Sequence, residues 1–158
     1  ALTGPWLEAK EIDKYFLAAS DFSLWLSLKF SGVFGKRNLV SFVVPDVSNQ
    51  NLILSDEVSF KELKKLIWTI WPISMRQAGF SNDAEMFFDL NLDLQKISSP
   101  TIAIHGTKDI NVDISHSIKL TEVVKNSKLH RIIGADHYMS FSHRNEINEV
   151  VEEFIENL

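Results

Sequence analysis

The feature that most constrains the fold is a strand–helix–strand pattern in the second half of the chain. Residues 101–105 (TIAIH) form a continuous apolar run of the kind that is buried on both faces of a parallel sheet. Residues 128–134 (KLHRIIG) form a second strand, and the segment between them predicts a helix capped by Asn111 or Asp113. Two strands joined by a helix are parallel, with a right-handed crossover. With a last helix at residues 145–158, the pattern predicts an α/β fold built as a β-α-β-α parallel unit.

The remaining segments predict amphipathic helices. In residues 145–158 the acids lie opposite an apolar face. That face consists of Ile147, Val150, Val151, Phe154, Ile155 and Leu158. Residues 1 to about 97 are rich in Trp and Phe, and their pattern is mainly that of helices. The composition therefore changes near residue 97, where the strands begin.

The clearest helix of the first half lies between Ser55, its expected N-cap, and Pro72, which ends or kinks it. Its apolar stripe is Leu63, Leu66, Ile67 and Ile70. Another helix is expected to open at Asn82, because Asn82 and Glu85 have the spacing of a capping box. Residues 38–46 fit either a short helix or an extended segment, and their periodicity does not separate the two.

Composition excludes several classes of function. The 158-residue chain has a net charge of −5 and only short basic clusters, which argues against a surface for nucleic acid. It has no cysteine, which excludes disulfides, thiolate catalysis and cysteine-bound zinc and agrees with a cytoplasmic location. No segment approaches the roughly 20 apolar residues of a membrane span. We therefore expect a cytoplasmic protein with no membrane span and no nucleic-acid partner.

Two residues with catalytic potential follow the two predicted strands. Asp109 comes after the first strand and His137 after the second. Parallel neighbouring strands bring their carboxyl ends together, where open α/β sheets have their active sites. A carboxylate beside a histidine fixes the tautomer of the ring and stabilises the imidazolium that forms in catalysis. The plainer alternative is that Asp109 closes a turn and His137 is an ordinary loop residue.

The same segments resemble a known family. The stretches ISSPTIAIHGTKDINV and SKLHRIIGADH, followed by a terminal amphipathic helix, strongly resemble the C-terminal third of the α/β-hydrolase fold. The resemblance covers residues 96–158. It implies that Asp109, in HG-x-x-D, is the acid of a catalytic triad and that His137, in G-x-x-H, is its base. Their order in the chain agrees with the Ser…Asp…His order of these enzymes.

A weaker resemblance covers part of the first half. Residues 71–87 (WPISMRQAGFSNDAEMF) are similar to the helical cap that some of these hydrolases insert before the acid-bearing strand. This implies a cap or lid over residues 1–95 and a hydrolase core over 96–158. Three residues are candidates for substrate binding in a lipophilic pocket: Tyr138, Arg76 and Trp71. The alternatives are that the aromatic rings pack against each other and that Arg76 is simply solvated.

The nucleophile of such a hydrolase is missing from this chain. The family carries it on a sharp turn, usually G-x-S-x-G. None of the six glycines forms such a pair around a serine. The chain begins with Ala1 rather than methionine, and we expect the nucleophile, serine or aspartate, to lie upstream of it. By itself the chain should be inactive, and we expect it to self-associate or to pair with the missing N-terminal half.

The leading interpretation is thus the C-terminal portion of a serine-type α/β-hydrolase, either esterase- or lipase-like or a C–C bond hydrolase. The resemblance implies a small lipophilic ester-like substrate in the full-length protein and no cofactor. We expect no metal either, because the DINVD segment, Asp109–Asp113, lacks the later residues of a calcium loop. An aspartate nucleophile would instead give dehalogenase or epoxide hydrolase chemistry. The alternative outside enzymes is a non-catalytic self-associating module or an inactive fragment.

Overall fold

The computed structural model describes residues 21–22, 25–26, 29–30, 35–88 and 90–158. From residue 35 onward the helices are α1 (Lys36–Ser41), α2 (Val47–Ser55), α3 (Glu57–Ile70), α4 (Gln77–Phe88), α5 (Ser115–Val123), α6 (Met139–Ser142) and α7 (Arg144–Glu156). The strands of the described chain are β1 (Thr101–Gly106) and β2 (Ser127–Ile132), and short 3₁₀ turns cover Ile73–Met75 and Leu94–Lys96. Among these residues, no helix is long and apolar enough to cross a membrane.

The two strands pair in parallel. Their register runs from Thr101 opposite Ser127 to Gly106 opposite Ile132, and α5 connects them. The predicted α/β class and the β-α-β-α order are therefore confirmed. The expectation that β1 is buried on both faces is wrong, because its first four residues are only partly buried. In the described part of the chain this sheet has two strands, and α5 is the main element packed on it.

The main buried cluster lies in the helices rather than around the sheet. It consists of Leu39, Val40, Val44, Ile53, Phe60, Leu63 and Ile67 from the segment of α1 to α3. Tyr138 and Phe141, at the start of α6, pack against this cluster. The helices of the first half therefore contact the chain directly after His137. The division into a cap (1–95) and a core (96–158) stays a prediction.

Aspartates define the starts of α2 and α3. The Asp46 side chain accepts a hydrogen bond from the Asn49 N–H, and Asp56 accepts from the N–H groups of Val58 and Ser59. The prediction that Ser55 caps α3 is wrong. Ser55 is the last residue of α2, and its hydroxyl donates to the Leu52 carbonyl oxygen.

Several other helix boundaries differ from the sequence-based expectation. Helix α4 begins at Gln77, so Asn82 lies inside it and the expected capping box is wrong. In the segment 38–46, the first residues belong to α1 and the rest turns and extends towards Pro45. Helix α3 ends at Ile70, just before Trp71 and Pro72, as expected. Its buried face is Phe60, Leu63 and Ile67, whereas Leu66 is exposed.

The apolar face of α7 is narrower than predicted. Ile147, Val150, Val151 and Phe154 are partly buried, whereas Ile155 and Leu158 are exposed. Leu158 lies beyond the end of the helix at Glu156. Ile155 lies at the edge of the stripe, because 3.6 residues per turn rotate it away from the centre of that face. The predicted face is therefore partly covered over its first four residues and left uncovered at the last two.

Candidate active site

Residues 107–114, called the acid loop below, connect the end of β1 to α5 and carry Asp109. The Asp109 N–H donates to the Gly106 carbonyl oxygen at 3.1 Å, which turns the chain back over the strand. Its carboxylate oxygen Oδ1 accepts hydrogen bonds from the N–H groups of Asn111, at 2.8 Å, and Val112, at 3.0 Å. The Asp109 side chain is only 6% exposed. Its second oxygen, Oδ2, is therefore held in one direction.

That direction is towards His137. The distance from Asp109 Oδ2 to His137 Nδ1 is 2.9 Å, which makes a hydrogen bond between residues 28 apart in sequence. The His137 side chain is 44% exposed, and the Tyr138 ring meets it edge-on with 5.6 Å between ring centroids. Because Nδ1 faces the carboxylate, Nε2 is the nitrogen left to exchange a proton with a reacting group.

Asp109 is held in its charged form. Burial disfavours the charge, but the hydrogen bonds from Val112, His137 and Asn111 outweigh it, and the pKa of Asp109 is lowered. A carboxylate that stays ionised orients a histidine and stabilises its imidazolium. The pair thus has the arrangement that a general base needs.

Hydrogen bonds join the acid loop to the end of β2 and to residues 133–138, which carry His137 and are called the histidine loop below. The Thr107 N–H donates to the Ile132 carbonyl oxygen at 3.0 Å, and the Lys108 N–H donates to that of Ala135 at 2.8 Å. The Gly134 N–H donates to the Thr107 hydroxyl at 2.8 Å, and Gly134 has a φ of 81°, which suits glycine. These bonds set the spacing between Asp109 and His137.

Helix α2 contacts both loops. Asp46, its N-cap, pairs with Lys108 at 2.8 Å, and the Asn49 side-chain amide donates to the Gly134 carbonyl oxygen at 3.1 Å. Asn49 is buried, whereas the Asp46–Lys108 pair is partly exposed and contributes little to stability by itself. Sequence reasoning missed Asp46 and Asn49. The capping position of Asp46 was readable, but nothing in the sequence indicated contacts over 62 and 85 residues.

Asp136, next to His137, is a second carboxyl group of the site. It is buried, and its Oδ1 accepts a hydrogen bond from the Tyr138 N–H at 2.9 Å. Its Oδ2 has no hydrogen-bond partner among the described residues. Burial raises the pKa of Asp136, and the charges of Asp46 and Asp109 raise it further against the opposing effect of Tyr138 and Asn49. Ionised Asp136 therefore costs folding stability.

This cost gives a stability prediction for Asp136→Asn. Because the pKa is raised on folding, wild-type stability falls as pH rises from the ordinary aspartate value of 3.8 through the folded-state pKa, and stays lower above it. The asparagine removes that loss. At pH 7 we expect a free energy of unfolding larger by about 1–2 kcal/mol, with the gain disappearing as pH falls towards 3.8. Urea unfolding at several pH values measures it.

Asp113→Asn is the matched control. Asp113 is exposed, and hydrogen bonds from Ser115 lower its pKa, so its charge is favoured in the folded protein. Replacing it should not stabilise the protein at pH 7. Equal stability of Asp136→Asn and wild type at every pH would contradict the buried-charge account.

The three candidate substrate residues lie in different places. Tyr138 contacts His137. Trp71 instead donates from its indole Nε1 to the Asp21 carbonyl oxygen at 3.0 Å, and Arg76 is exposed between the 3₁₀ turn and α4. Within the described ranges, no hydrogen bond or ion pair joins Trp71 or Arg76 to the Asp109–His137 pair. Their role in substrate binding stays a prediction. Among all the residues that the structure describes, no group of three His, Asp or Glu side chains is arranged to hold a metal ion.

Comparison with curated proteins gives three partial likenesses. A protein named as a non-heme chloroperoxidase, from Synechocystis sp., is 25% identical over 109 residues, which are 68% of this chain and 39% of that protein. The peptidase YtmA of Bacillus subtilis is 42% identical over 50 residues, 32% of this chain and 19% of YtmA. The polyketide synthase ThaQ of Burkholderia thailandensis is 31% identical over 74 residues, 47% of this chain and 4% of ThaQ.

The chain thus spans less than two fifths of the length of each of these relatives. No family model matches it, and no solved structure matches it. The likenesses to a chloroperoxidase and a peptidase nevertheless agree with the parallel α/β unit seen in the structure. Together they indicate a distant, α/β-hydrolase-like relationship for this chain.

Proposed function

We propose that this chain supplies the acid and the histidine of a serine-type α/β-hydrolase, esterase- or lipase-like or a C–C bond hydrolase. The observation that carries the proposal is the 2.9 Å contact between Asp109 Oδ2 and His137 Nδ1 at the ends of two parallel strands. The acid is buried and the imidazole is half exposed. This combination suits a base that must meet a substrate while its orienting carboxylate stays dry.

In the proposed reaction, His137 acts as general base and then as general acid. Its Nε2 takes the proton of the nucleophile as this attacks the substrate carbonyl, and returns the proton to the leaving group. In the second half, Nε2 takes a proton from water as the water attacks the acyl-enzyme. It returns that proton to the oxygen of the nucleophile as the acyl–oxygen bond breaks, which releases the acid product and restores the free enzyme. Asp109 keeps Nδ1 protonated and stabilises the imidazolium in both halves.

The nucleophile is proposed to lie on sequence that precedes residue 1. The chain lacks a G-x-S-x-G turn, and it spans only part of its relatives. Residues 1–95 then serve as a cap over a pocket for a lipophilic ester-like substrate, with Trp71, Arg76 and Tyr138 as candidate lining residues. A cysteine-free chain suits the cytoplasm as the place of action.

A fluorophosphonate ester tests this proposal, because it phosphonylates an activated serine irreversibly. The protein that contains this chain is treated with the probe, digested and analysed by mass spectrometry. We expect one labelled serine, in a G-x-S-x-G turn upstream of residue 1. Absence of labelling, together with an aspartyl ester trapped from an alkyl halide or epoxide, would replace the serine mechanism by aspartate chemistry.

One observation favours the non-catalytic alternative of a self-associating module. Large apolar side chains are exposed in the described structure, including Met75 at 82% and Ile133 at 78%. Contact with a second copy of this chain, or with the proposed sequence that precedes residue 1, would remove these side chains from water. Light scattering coupled to size-exclusion chromatography distinguishes a monomer from a larger species. Self-association without phosphonate labelling would favour the module.

A further inference from the structure

A second histidine, His105, lies behind the acid of the site. It is the fifth residue of β1, four positions before Asp109, and it is only 6% exposed. Both ring nitrogens have partners. Nε2 lies 3.1 Å from the Val112 carbonyl oxygen, and Nδ1 lies 2.8 Å from the Ser117 hydroxyl. Because a carbonyl can only accept, Nε2 carries a proton, and in the neutral ring Nδ1 accepts from Ser117.

These contacts connect β1 to the far side of the acid loop and to α5. The peptide groups of Val112 are held from two sides: its carbonyl oxygen accepts from His105, and its N–H donates to Asp109 Oδ1 at 3.0 Å. Movement of Val112 would therefore change the hydrogen bond that holds Oδ1. It would also turn Oδ2, the oxygen that faces His137.

His105 also faces the carboxylate directly. Its Nε2 lies 3.9 Å from Asp109 Oδ2, the oxygen bonded to His137. This distance is too long for a hydrogen bond but places the positive N–H edge of the ring beside the negative charge. His105 thus acts on Asp109 by two routes, through the Val112 peptide and through space.

We propose that His105 is a positioning residue, which holds the Asp109 carboxylate in the orientation that His137 requires. The inference rests on the proposed function, in which Asp109 orients the catalytic base. His105 itself touches neither the substrate nor the reacting atoms. Its role lies in the chain of contacts Ser117–His105–Val112–Asp109–His137.

The test compares His105→Leu with His105→Gln in the protein that contains this chain. Leucine fills the space but cannot bond Val112. We expect kcat for ester hydrolysis to fall by about 10- to 100-fold, with KM changed by less than about threefold, because a misaimed catalytic group slows chemistry rather than binding. The glutamine side chain ends in an NH₂ donor group and a carbonyl acceptor, and this variant should recover most of the lost kcat.

A second readout does not depend on turnover. The proton between His137 Nδ1 and Asp109 gives a downfield NMR signal, which should be present in the wild type and His105→Gln and weakened or lost in His105→Leu. If His105→Leu fails to fold, Ser117→Ala serves instead, because it removes the partner of Nδ1 and frees the other tautomer. We expect it to weaken the same signal.

The outcomes separate this inference from the proposed function. An unchanged downfield signal and kcat in His105→Leu would overturn the positioning role, and so would equal losses in the leucine and glutamine variants, which would indicate a packing role. If instead the signal responds as expected but no variant, including one at His137, affects hydrolysis, then the proposed function fails while the positioning of Asp109 by His105 stands.

Discussion

Replacing His137 with alanine is expected to lower kcat/KM for ester hydrolysis by about 10⁴-fold or more in the protein that contains this chain. Alanine has no imidazole nitrogen, so nothing remains in the position of Nε2 to take the proton of the nucleophile or to return it to the leaving group. Asp109 cannot replace it, because its side chain is only 6% exposed and lies behind the ring. Steady-state kinetics with a p-nitrophenyl ester measure the loss.

The stability of this variant should change little. The His137 side chain is 44% exposed, and after its removal the Asp109 carboxylate still accepts two backbone hydrogen bonds. We expect the free energy of unfolding to change by about 1 kcal/mol or less. Thermal unfolding followed by circular dichroism separates a loss of catalysis from a loss of fold.

His130→Ala is the matched control for His137→Ala. His130 lies on β2 with a partly exposed side chain and a loose contact of 3.7 Å to Glu146. Its removal should leave kcat/KM within about twofold, as for a surface substitution away from the site. If His137→Ala retained kcat/KM within tenfold of wild type, the hydrolase proposal would be abandoned for the self-associating module.

The largest effect on stability is expected for Gly106→Ala. A Cβ atom at this position would lie 2.7 Å from the Ala135 carbonyl carbon and 2.9 Å from the Asp136 carbonyl oxygen, and closer still to the Ala135 oxygen. These are backbone atoms and cannot rotate away. We expect the free energy of unfolding to fall by about 3 kcal/mol or more. Because the clash pushes on the histidine loop, kcat should fall as well.

Gly79→Ala is the control for Gly106→Ala. Gly79 lies in α4, and a Cβ added there would meet nothing within 4 Å. Alanine should therefore stabilise the helix by up to about 1 kcal/mol. Urea unfolding of the two variants beside the wild type gives the comparison. A Gly106→Ala protein as stable as wild type would mean that β1 and the histidine loop are farther apart than the structure has them.

The β-α-β-α unit was readable from the chain because its signals are local. Apolar runs mark β1 and β2, and glycines at the end of β1 (Gly106) and just after β2 (Gly134) allow tight exits. Parallel pairing then leaves little choice about which ends meet, so the proximity of Asp109 and His137 could be anticipated. Helix starts were less predictable. Ser55 and Asp56 are both good caps by residue type, but in the structure Ser55 ends α2 and the Asp56 side chain caps α3.

Other parts of the site depended on contacts between distant segments. Asn49 reaches Gly134, and Asp46 reaches Lys108, because α2 packs beside α6 and the two loops. The exposure of Leu66 beside buried Leu63 and Ile67 likewise depends on which face of α3 meets the other helices. A periodic pattern defines an apolar stripe but not how much of it is covered.

Short stretches of sequence therefore determined three features of this protein. These are the parallel α/β unit, the acid and the histidine that follow its strands, and the absence of a G-x-S-x-G turn from the 158 residues. The orientation of the Asp109 carboxylate towards His137, by contrast, depends on the tertiary structure. Val112, whose carbonyl oxygen is bonded to His105, holds Asp109, and Asn49 holds the histidine loop, through hydrogen bonds whose geometry depends on the packing of α2, α5 and the strands. A hydrogen bond needs both partners within a few tenths of an ångström, and sequence spacing alone does not specify that.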